Sequence, residues 1–285
     1  MHKGIYIKRL RKNKGYTQKY VGEGVLSQSA YSKFEAGISD IHSEAFIQIL
    51  DRLDMSLEEV LYISNGYCLK EVKDLVHSFF SLPYNNLDSL HQLVVEIEQY
   101  PEYEKNILLN DIRTVCFALI ELYATHDILA ARTIVEPVWK RLSLLNNWYL
   151  TDIRLINSIL YLFPNDTAIE LTRNVLKQLD RYKGFQDSGR LMITFKINLS
   201  LLLIKEKNFE VASDILTDAL IKHKKEMLFS SLAICLGRLS ICNHALGKSI
   251  SDDYLIQAEQ LLKIYDHEDL WRKIKEEYTY YCNLP

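Results

Sequence analysis

The chain has 285 residues, of which 48% are hydrophobic and 25% are charged, with 10 glycines and 5 prolines. This composition is typical of a globular protein, and the scarcity of turn-forming residues disfavours an all-β fold, so we expect an all-α protein. The five cysteines form no CxxC pair, and their odd number disfavours a disulfide framework. No apolar run is long enough for a signal peptide or a membrane span. We therefore expect a cytoplasmic protein with no membrane partner.

The net charge of −3 is unevenly distributed along the chain. Residues 1–37 carry a net charge of +6, whereas residues 38–66 carry −5. Within the first 66 residues, the net positive charge is thus confined to the segment that contains the first three predicted helices. A small domain polarised in this way is expected to present one face to a polyanion.

Five short helices are predicted in the first 66 residues. Thr17 and Ser27 are suited to cap the second and third helices, because a hydroxyl oxygen can accept the free N–H groups of a first helical turn. Ser56 starts the fifth helix in a capping box with Glu59. The second and third helices are short and follow each other closely, which is typical of a helix-turn-helix. The five predicted helices span residues 4–12, 18–22, 28–35, 43–53 and 56–65.

The third helix has the clearest binding chemistry. Its polar residues form one stripe, and the aromatic Tyr31 and Phe34 face the other way. Such a stripe suits the major groove of DNA, where glutamine can pair with adenine and lysine can reach guanine or phosphate. An ordinary solvated helix face would explain any one of these residues, but not their occurrence together with two caps and the positive charge. The predicted DNA-binding residues are Arg11, Lys12, Lys14, Gln18, Ser27, Gln28, Ser29, Ser32 and Lys33.

Eleven longer amphipathic helices are predicted after residue 66, and no strand-like alternation interrupts them. Four segments share a small residue followed by apolar residues three and seven positions further on, beginning at Ala131, Ala168, Ala212 and Ala258. This spacing fits stacked helix pairs in a tetratricopeptide-like repeat domain, although any antiparallel helical array places small residues at contacts. The eleven predicted helices span residues 69–80, 87–99, 104–124, 129–144, 150–162, 167–182, 189–205, 209–224, 228–245, 252–265 and 270–281.

The stretch Arg11-Lys12-Asn13-Lys14-Gly15-Tyr16-Thr17-Gln18, followed by Leu26-Ser27-Gln28-Ser29-Ala30-Tyr31-Ser32-Lys33-Phe34-Glu35-Ala36-Gly37, resembles the DNA-binding domain of the phage-repressor and Cro type. By its length, by this second run and by its helical repeats, the whole chain resembles the Rgg-type (Rgg/GadR/MutR) transcriptional regulators of streptococci and their relatives. Those regulators are peptide-pheromone receptors with a repeat domain and are usually homodimers. The resemblance therefore implies quorum sensing, binding of double-stranded DNA and of a short signalling peptide, and an ion pair between Arg11 and Glu35.

Two domains are expected from these elements. Residues 1–66 form a five-helix DNA-binding domain of the repressor/Cro type, and residues 67–285 form a helical repeat domain for ligand sensing and dimerisation. Gly22 and Tyr20 depart from the repressor pattern, which prefers Ala and Leu there, so we expect the second helix to be loosely packed. Some Rgg-type members link their DNA-binding domains through a cysteine. No cysteine lies between His2 and Tyr67, so this link is not expected here.

Polar residues within the apolar helices of the repeat domain indicate a peptide groove. Asparagine can hydrogen-bond the backbone amides of an extended peptide, and a cationic side chain can hold its carboxylate. Alternatively, these residues cap helices, meet solvent or bridge repeats. A groove of this kind should select a hydrophobic peptide with one negative group. The predicted peptide-binding residues are Arg154, Asn157, Tyr161, Phe195, Asn198 and Arg238.

The sequence gives little support for an enzyme. The chain has no HExxH, GxGxxG, GxxxxGK[ST] or GxSxG motif, so we expect no catalytic residues, no metal and no cofactor. The expected function is a sequence-specific transcriptional regulator controlled by a peptide. A regulator that senses a small molecule or a protein partner, and a helical scaffold that does not bind DNA, remain alternatives.

The terminal aromatic residues Trp271, Tyr278, Tyr280 and Tyr281 either form a dimer interface or close the repeat array.

Overall fold

The computed structural model of the chain describes residues 3–68, 71–82, 87–185, 187–248 and 251–282. Every regular element within these ranges is helical, which confirms the all-α fold class. The chain divides into two compact units, Met1–Ser81 and Leu82–Pro285. The expected boundary at residue 66 marks the end of the five short helices and stays a prediction of where the DNA-binding domain ends. None of the helices in the described ranges is long and apolar enough to cross a membrane.

The first unit contains the five predicted short helices and a sixth. The side-chain oxygens of Thr17, Ser27 and Ser56 each accept a hydrogen bond from the backbone N–H three residues further on, at 3.1–3.2 Å, so all three predicted caps are confirmed. The predicted sixth helix started at residue 69, and residues 69 and 70 lie outside the described ranges. The helices are α1 (Lys3–Asn13), α2 (Gln18–Gly22), α3 (Gln28–Glu35), α4 (Ser43–Arg52), α5 (Leu57–Ser64) and α6 (Glu71–Ser81).

The core of the first unit forms where α1, α3 and α4 meet. Ile7 from α1, Phe34 from α3 and Ile49 from α4 are all fully buried in one cluster. Helix α1 approaches α3 so closely that a Cβ atom on Gly4 would collide with the carbonyl oxygen of Phe34. Glycine at position 4 therefore brings the basic helix α1 against the end of α3.

At Gly22 the expected loose packing of α2 is wrong, although Tyr20 is 51% exposed. Val21 is fully buried, and Gly22 is buried against the ring of Tyr31, where an added Cβ atom would lie 3.1 Å from the ring carbons. The missing side chain at Gly22 makes room for the aromatic ring of α3. The glycine thus tightens the contact between α2 and α3.

The second unit contains the remaining ten predicted helices. Several predicted helices end early because their last residues form short 3-10 turns, at Leu160–Leu162, Asp180–Tyr182 and Lys224–Glu226. The predicted linker at residues 83–86 lies outside the described ranges. The helices are α7 (Leu87–Gln99), α8 (Ile107–Thr125), α9 (Ile128–Ser143), α10 (Leu150–Ile159), α11 (Asn165–Leu179), α12 (Ser188–Lys205), α13 (Phe209–His223), α14 (Phe229–Ala245), α15 (Ser251–Ile264) and α16 (Glu268–Cys282).

The helices of the second unit alternate between two layers. Helix α8 packs on α9, α12 on α13 and α14 on α15, and the first helices α8, α10, α12, α14 and α16 contact one another in series. The four repeated alanines lie on α9, α11, α13 and α15, and all are fully buried. Their small side chains let the second helix of each pair approach its neighbours. The layer of first helices carries five of the six predicted peptide-binding residues, and Tyr161 lies in the turn after α10.

Candidate functional site

Helix α3 turns its predicted polar stripe to the surface. Tyr31 and Phe34 on the opposite side are fully buried in the core of the first unit. The aromatic side therefore anchors the helix, and the polar side is open to a partner. The exposed residues of the stripe and its cap are Ser27, Gln28, Ser29, Ser32 and Lys33.

A chain of hydrogen bonds runs from the interior of the first unit to this surface. Arg11 binds Glu35 with two nitrogens, Nε to Oε1 at 2.5 Å and Nη2 to Oε2 at 2.8 Å, which confirms the ion pair that the resemblance implies. Gln18 Nε2 donates to Glu35 Oε2 at 2.7 Å, and Gln28 Nε2 donates to Gln18 Oε1 at 3.0 Å. The exposed amide of Gln28 is thus oriented through Gln18 by a buried carboxylate.

The charges at the base of this chain stabilise each other. Burial alone would raise the pKa of Glu35, but hydrogen bonds from Arg11 and Gln18 and the attraction to the guanidinium outweigh it and hold that pKa below its usual value. The hydrogen bond to Glu35 raises the pKa of Arg11. Both groups are therefore charged at neutral pH.

The predicted DNA-binding cations divide into two groups. Lys12, Lys14 and Lys33 are exposed, with Lys12 in the last turn of α1. Arg11 is not brought to the surface: it is 7% exposed, and its third nitrogen donates to the carbonyl oxygen of Tyr16 at 2.6 Å. Lys19 is not among the predicted DNA-binding residues, but it is exposed next to Gln18 at the start of α2. Its position beside Gln18 at a predicted helix N-terminus could have identified it from the sequence.

In the second unit, two predicted peptide-binding asparagines contact each other. Asn198 on α12 donates its side-chain amide to Asn157 Oδ1 on α10 at 3.0 Å. Both side chains are half-buried. The contact uses one donor and one acceptor, so the pair retains the amide group of Asn157 and the carbonyl oxygen of Asn198 for further bonds. A donor beside an acceptor matches the alternating groups of a peptide backbone.

Arg238 lies next to this pair but is held by its own chain. Its Nη1 donates to the carbonyl oxygen of Ile197 at 2.6 Å, and its Nε donates to Glu277 Oε1 on α16 at 2.7 Å. The residue is only 8% exposed. Glu277, which sequence reasoning missed, neutralises the cation that was expected to hold a ligand carboxylate. Nothing in the sequence pattern pairs two residues that lie 39 positions apart.

The other three predicted peptide-binding residues lie in different surroundings. Arg154 is half-buried on α10, three residues before Asn157, and Tyr161 is 42% exposed in the turn after that helix. Phe195 is fully buried and therefore contributes to the core beneath α12 instead of a groove wall. The structure thus joins Asn157 to Asn198, places Arg238 against the carbonyl oxygen of Ile197, and leaves Phe195 out.

The terminal aromatic residues mostly pack within the chain. Trp271 contacts the cluster around Leu236 and Ile274, and Tyr278 and Tyr281 contact the cluster around Leu239 and Cys242. Of the four predicted residues, Tyr280 is the one left largely exposed, at 63%. These contacts pack α16 against α14 and α15.

Among the residues that the structure describes, no three histidine, cysteine, aspartate or glutamate side chains are grouped as metal ligands would be. The candidate sites described above consist of amides, hydroxyls and paired charges. Such groups bind and position a partner.

Two family models match the chain. Residues 7–60 match the helix-turn-helix model, and residues 142–231 match the model of the C-terminal domain of the HTH-type transcriptional regulator Rgg. The first match contains α2 and α3, and the second contains α10 to α13. The helix-turn-helix expected in the first part of the chain and the resemblance to Rgg-type transcriptional regulators in the second part are thereby confirmed.

Solved structures share the fold over nearly the whole length. The chain is 18% identical to the SHP pheromone receptor Rgg2 of Streptococcus dysgalactiae, with a TM-score of 0.72 over 98% of this chain and 99% of that one. It is 16% identical to PlcR of Bacillus thuringiensis, solved with the peptide PapR7 and DNA, with a TM-score of 0.71 over 96% and 98% of the two chains. It is also 16% identical to ComR of S. thermophilus, solved with DNA and its signalling peptide ComS, with a TM-score of 0.65 over 98% and 99%. At these identities the likeness establishes the fold.

Proposed function

We propose that this chain, which joins a helix-turn-helix to an Rgg-type C-terminal domain, is a cytoplasmic, homodimeric transcriptional regulator that binds specific double-stranded DNA and is controlled by a short hydrophobic signalling peptide. The observation that carries the proposal is the exposed polar stripe of α3, with Gln28 held by Gln18. A scaffold that does not bind DNA has no use for a surface glutamine oriented from the interior.

Gln28 is the residue that reads a base. Its bond to Gln18 uses one amide hydrogen, so the other amide hydrogen and Oε1 remain available. These two groups match the N7 acceptor and the N6 donor that adenine presents in the major groove. Ser29 and Ser32 lie on the same exposed side and reach base edges or phosphates.

The remaining residues of the DNA-binding set hold the phosphate backbone. Lys12, Lys14 and Lys33 supply exposed cations, and Gln18 and Ser27 lie at helix N-termini, whose free N–H groups attract phosphate. Arg11 acts as a positioning residue, because its guanidinium is bonded to Glu35 and to the carbonyl oxygen of Tyr16.

The peptide lies along the layer of first helices, over α10, α12 and α14. Asn157 and Asn198 bond its backbone, Tyr161 provides an apolar wall, and Arg154 attracts its negative group. Arg238 is already paired with Glu277 and acts as a positioning residue for α12. Phe195 supports α12 from below. Two of the structural neighbours were solved with both a peptide and DNA, which supports this pairing of partners.

The test is selection of bound duplexes from a random DNA pool by the full-length protein, followed by titration of the selected and a scrambled duplex. We expect tighter binding of the selected duplex at moderate salt, and a change in that affinity when a peptide encoded by a short reading frame near the gene is added. Equal affinity for both duplexes would refute sequence-specific binding. A DNA affinity that responds to small molecules but to none of these peptides would refute peptide control and favour the small-molecule alternative.

A further inference from the structure

A cavity of about 1160 Å³ opens in the second unit beside α12. It is lined by the end of α11, the beginning of α12, the end of α13 and the turn that follows α13. Lys196 lines it, whereas Asn198 bonds Asn157 two residues further along α12. Two residues correspond to a rotation of about 200° around a helix, so the cavity lies on the opposite side of α12 from the proposed peptide site.

The walls of this cavity are positively charged in a chain whose net charge is −3. Cationic side chains outnumber the carboxylates of Asp180, Asp187, Asp218 and Glu226. Most of the cations are lysines, which bind phosphate as compact point charges. The cationic lining residues are Lys177, Lys183, Arg190, Lys196, Lys222 and Lys225.

Two of these lysines share one carboxylate inside the cavity. Lys196 Nζ lies 2.6 Å from Asp218 Oδ2, and Lys222 Nζ lies 2.6 Å from Asp218 Oδ1. Hydrogen bonds from both lysines lower the pKa of Asp218, so it is ionised at neutral pH and still neutralises only one of them. The side chain of Lys196 is 13% exposed, and its ammonium has more donors than this one bond uses. Two cations that share one carboxylate in this way, one of them largely buried, favour an anionic ligand.

The first turn of α12 contributes a second anion-attracting feature. Ser188, Gly189 and Arg190 line the cavity there, and a Cβ atom on Gly189 would collide with the carboxylate of Glu226. The chain therefore already places its own carboxylate against the bare backbone at a helix N-terminus, where negative charge is stabilised. Glu226 is exposed on a three-residue turn, so a ligand anion would compete with it for this position.

We propose that this cavity binds a phosphate-bearing small molecule of nucleotide size. Lys196 and Lys222 hold the phosphate groups near the first turn of α12. Met192, Met227 and Leu228 provide an apolar wall for the organic part of the molecule. The cavity slightly exceeds the range of about 300–1,000 Å³ that small-molecule and cofactor sites measure, so it has room for a ligand of nucleotide size.

The test is calorimetric titration of the full-length protein with ADP, pyrophosphate and adenosine. We expect ADP and pyrophosphate to bind and adenosine not to bind, because the phosphates are what the lysines recognise. Lys196→Met should weaken ADP binding about tenfold, and Lys196→Arg should retain it. Glu226→Gln should bind ADP more tightly, since a competing carboxylate is removed. Lys205→Met, on the exposed last turn of α12 outside the cavity, is the control and should bind ADP like the wild type.

No heat of binding with ADP or pyrophosphate at about 1 mM would overturn the proposal, as would adenosine binding as tightly as ADP. Unchanged ADP affinity in Lys196→Met, with circular dichroism showing a folded protein, would also overturn it. Asn198→Ala should leave ADP binding intact, so this result does not depend on where a peptide binds.

Discussion

The side chains of Gln18 and Gln28 are joined across the helix-turn-helix, with Gln28 Nε2 donating to Gln18 Oε1 at 3.0 Å. Gln18 in turn donates to Glu35 at 2.7 Å, and Glu35 is 1% exposed. A surface side chain is thereby oriented by a buried charge through one intermediate amide. In the free protein this arrangement fixes an amide that would otherwise sample several rotamers, so less conformational entropy is lost when it meets a base.

Gln28→Ala should abolish the preference for one base pair in the operator. The loss of one bidentate contact should cost about 1–3 kcal/mol at that position and leave affinity for other sequences nearly unchanged. The measurement is competition binding with operators substituted at each position in turn. Glu23→Ala, exposed in the turn before α3, is the control. Equal losses on specific and random duplexes would assign Gln28 to the backbone instead.

Lys12→Ala and Lys14→Ala should weaken binding to every duplex by a similar factor. Each exposed cation that neutralises a phosphate releases a counterion, so its removal should reduce the slope of log affinity against log salt by about 1. Titrations at several salt concentrations, on operator and random DNA, give this slope. An unchanged slope in both variants would place α1 away from the DNA backbone.

The stability of the first unit should fall in acid because of the Arg11–Glu35 pair. The pKa of Glu35 is lower in the folded state, so its contribution is complete above the unfolded pKa of about 4.3 and is lost as the pH falls through the folded value. Glu35→Gln should remove this pH dependence and destabilise the unit by about 3 kcal/mol at neutral pH, since Arg11 is left buried without a counter-ion.

Tryptophan fluorescence cannot measure that effect, because all three tryptophans, at positions 139, 148 and 271, lie in the second unit. Hydrogen exchange of peptides from α1 and α3 between neutral and acidic pH reports on the first unit directly. Glu58→Gln, exposed on α5, is the matched control. The same acid dependence in Glu35→Gln and wild type would contradict the prediction.

Arg154→Ala and Asn198→Ala should abolish the peptide response and leave operator binding intact. Asn198→Ala removes a ligand acceptor and also frees Asn157, which loses its partner at 3.0 Å. Fluorescence anisotropy with a labelled peptide, beside a DNA shift assay for each variant, separates the two activities. Peptide affinity equal to that of the wild type in both variants would place the groove elsewhere.

The chain should be a dimer in solution and on DNA, because a palindromic operator requires two copies related by a two-fold axis. Tyr280 is 63% exposed on α16 while its aromatic neighbours pack inward, so Tyr280→Glu should weaken association. Tyr149→Glu, at a site 66% exposed, is the control. Light scattering at micromolar concentration gives the mass, and a monomeric wild type with and without operator would exclude the dimer.

Much of the fold could be predicted because its signals are local. A cap such as that of Ser27 depends on a hydrogen bond spanning three residues, and the apolar period of a helix can be read within a few turns. The exposed stripe of α3 follows from the same period. The packing at Gly22 could not be predicted, because the ring of Tyr31, nine residues further on, occupies the space beside it.

Tertiary structure alone decided which polar residues remain open to a partner. The sequence by itself determined the all-α class, the capped helix-turn-helix and the clustering of positive charge in residues 1–37, since each follows from neighbouring residues. It did not determine that Phe195 is fully buried or that Arg238 is held by Glu277, 39 residues away. The burial of Phe195 and the pairing of Arg238 with Glu277 arise only when α12, α14 and α16 pack together. The free energy of a polar contact depends on how deeply the contact is buried, and a linear sequence pattern does not encode that burial.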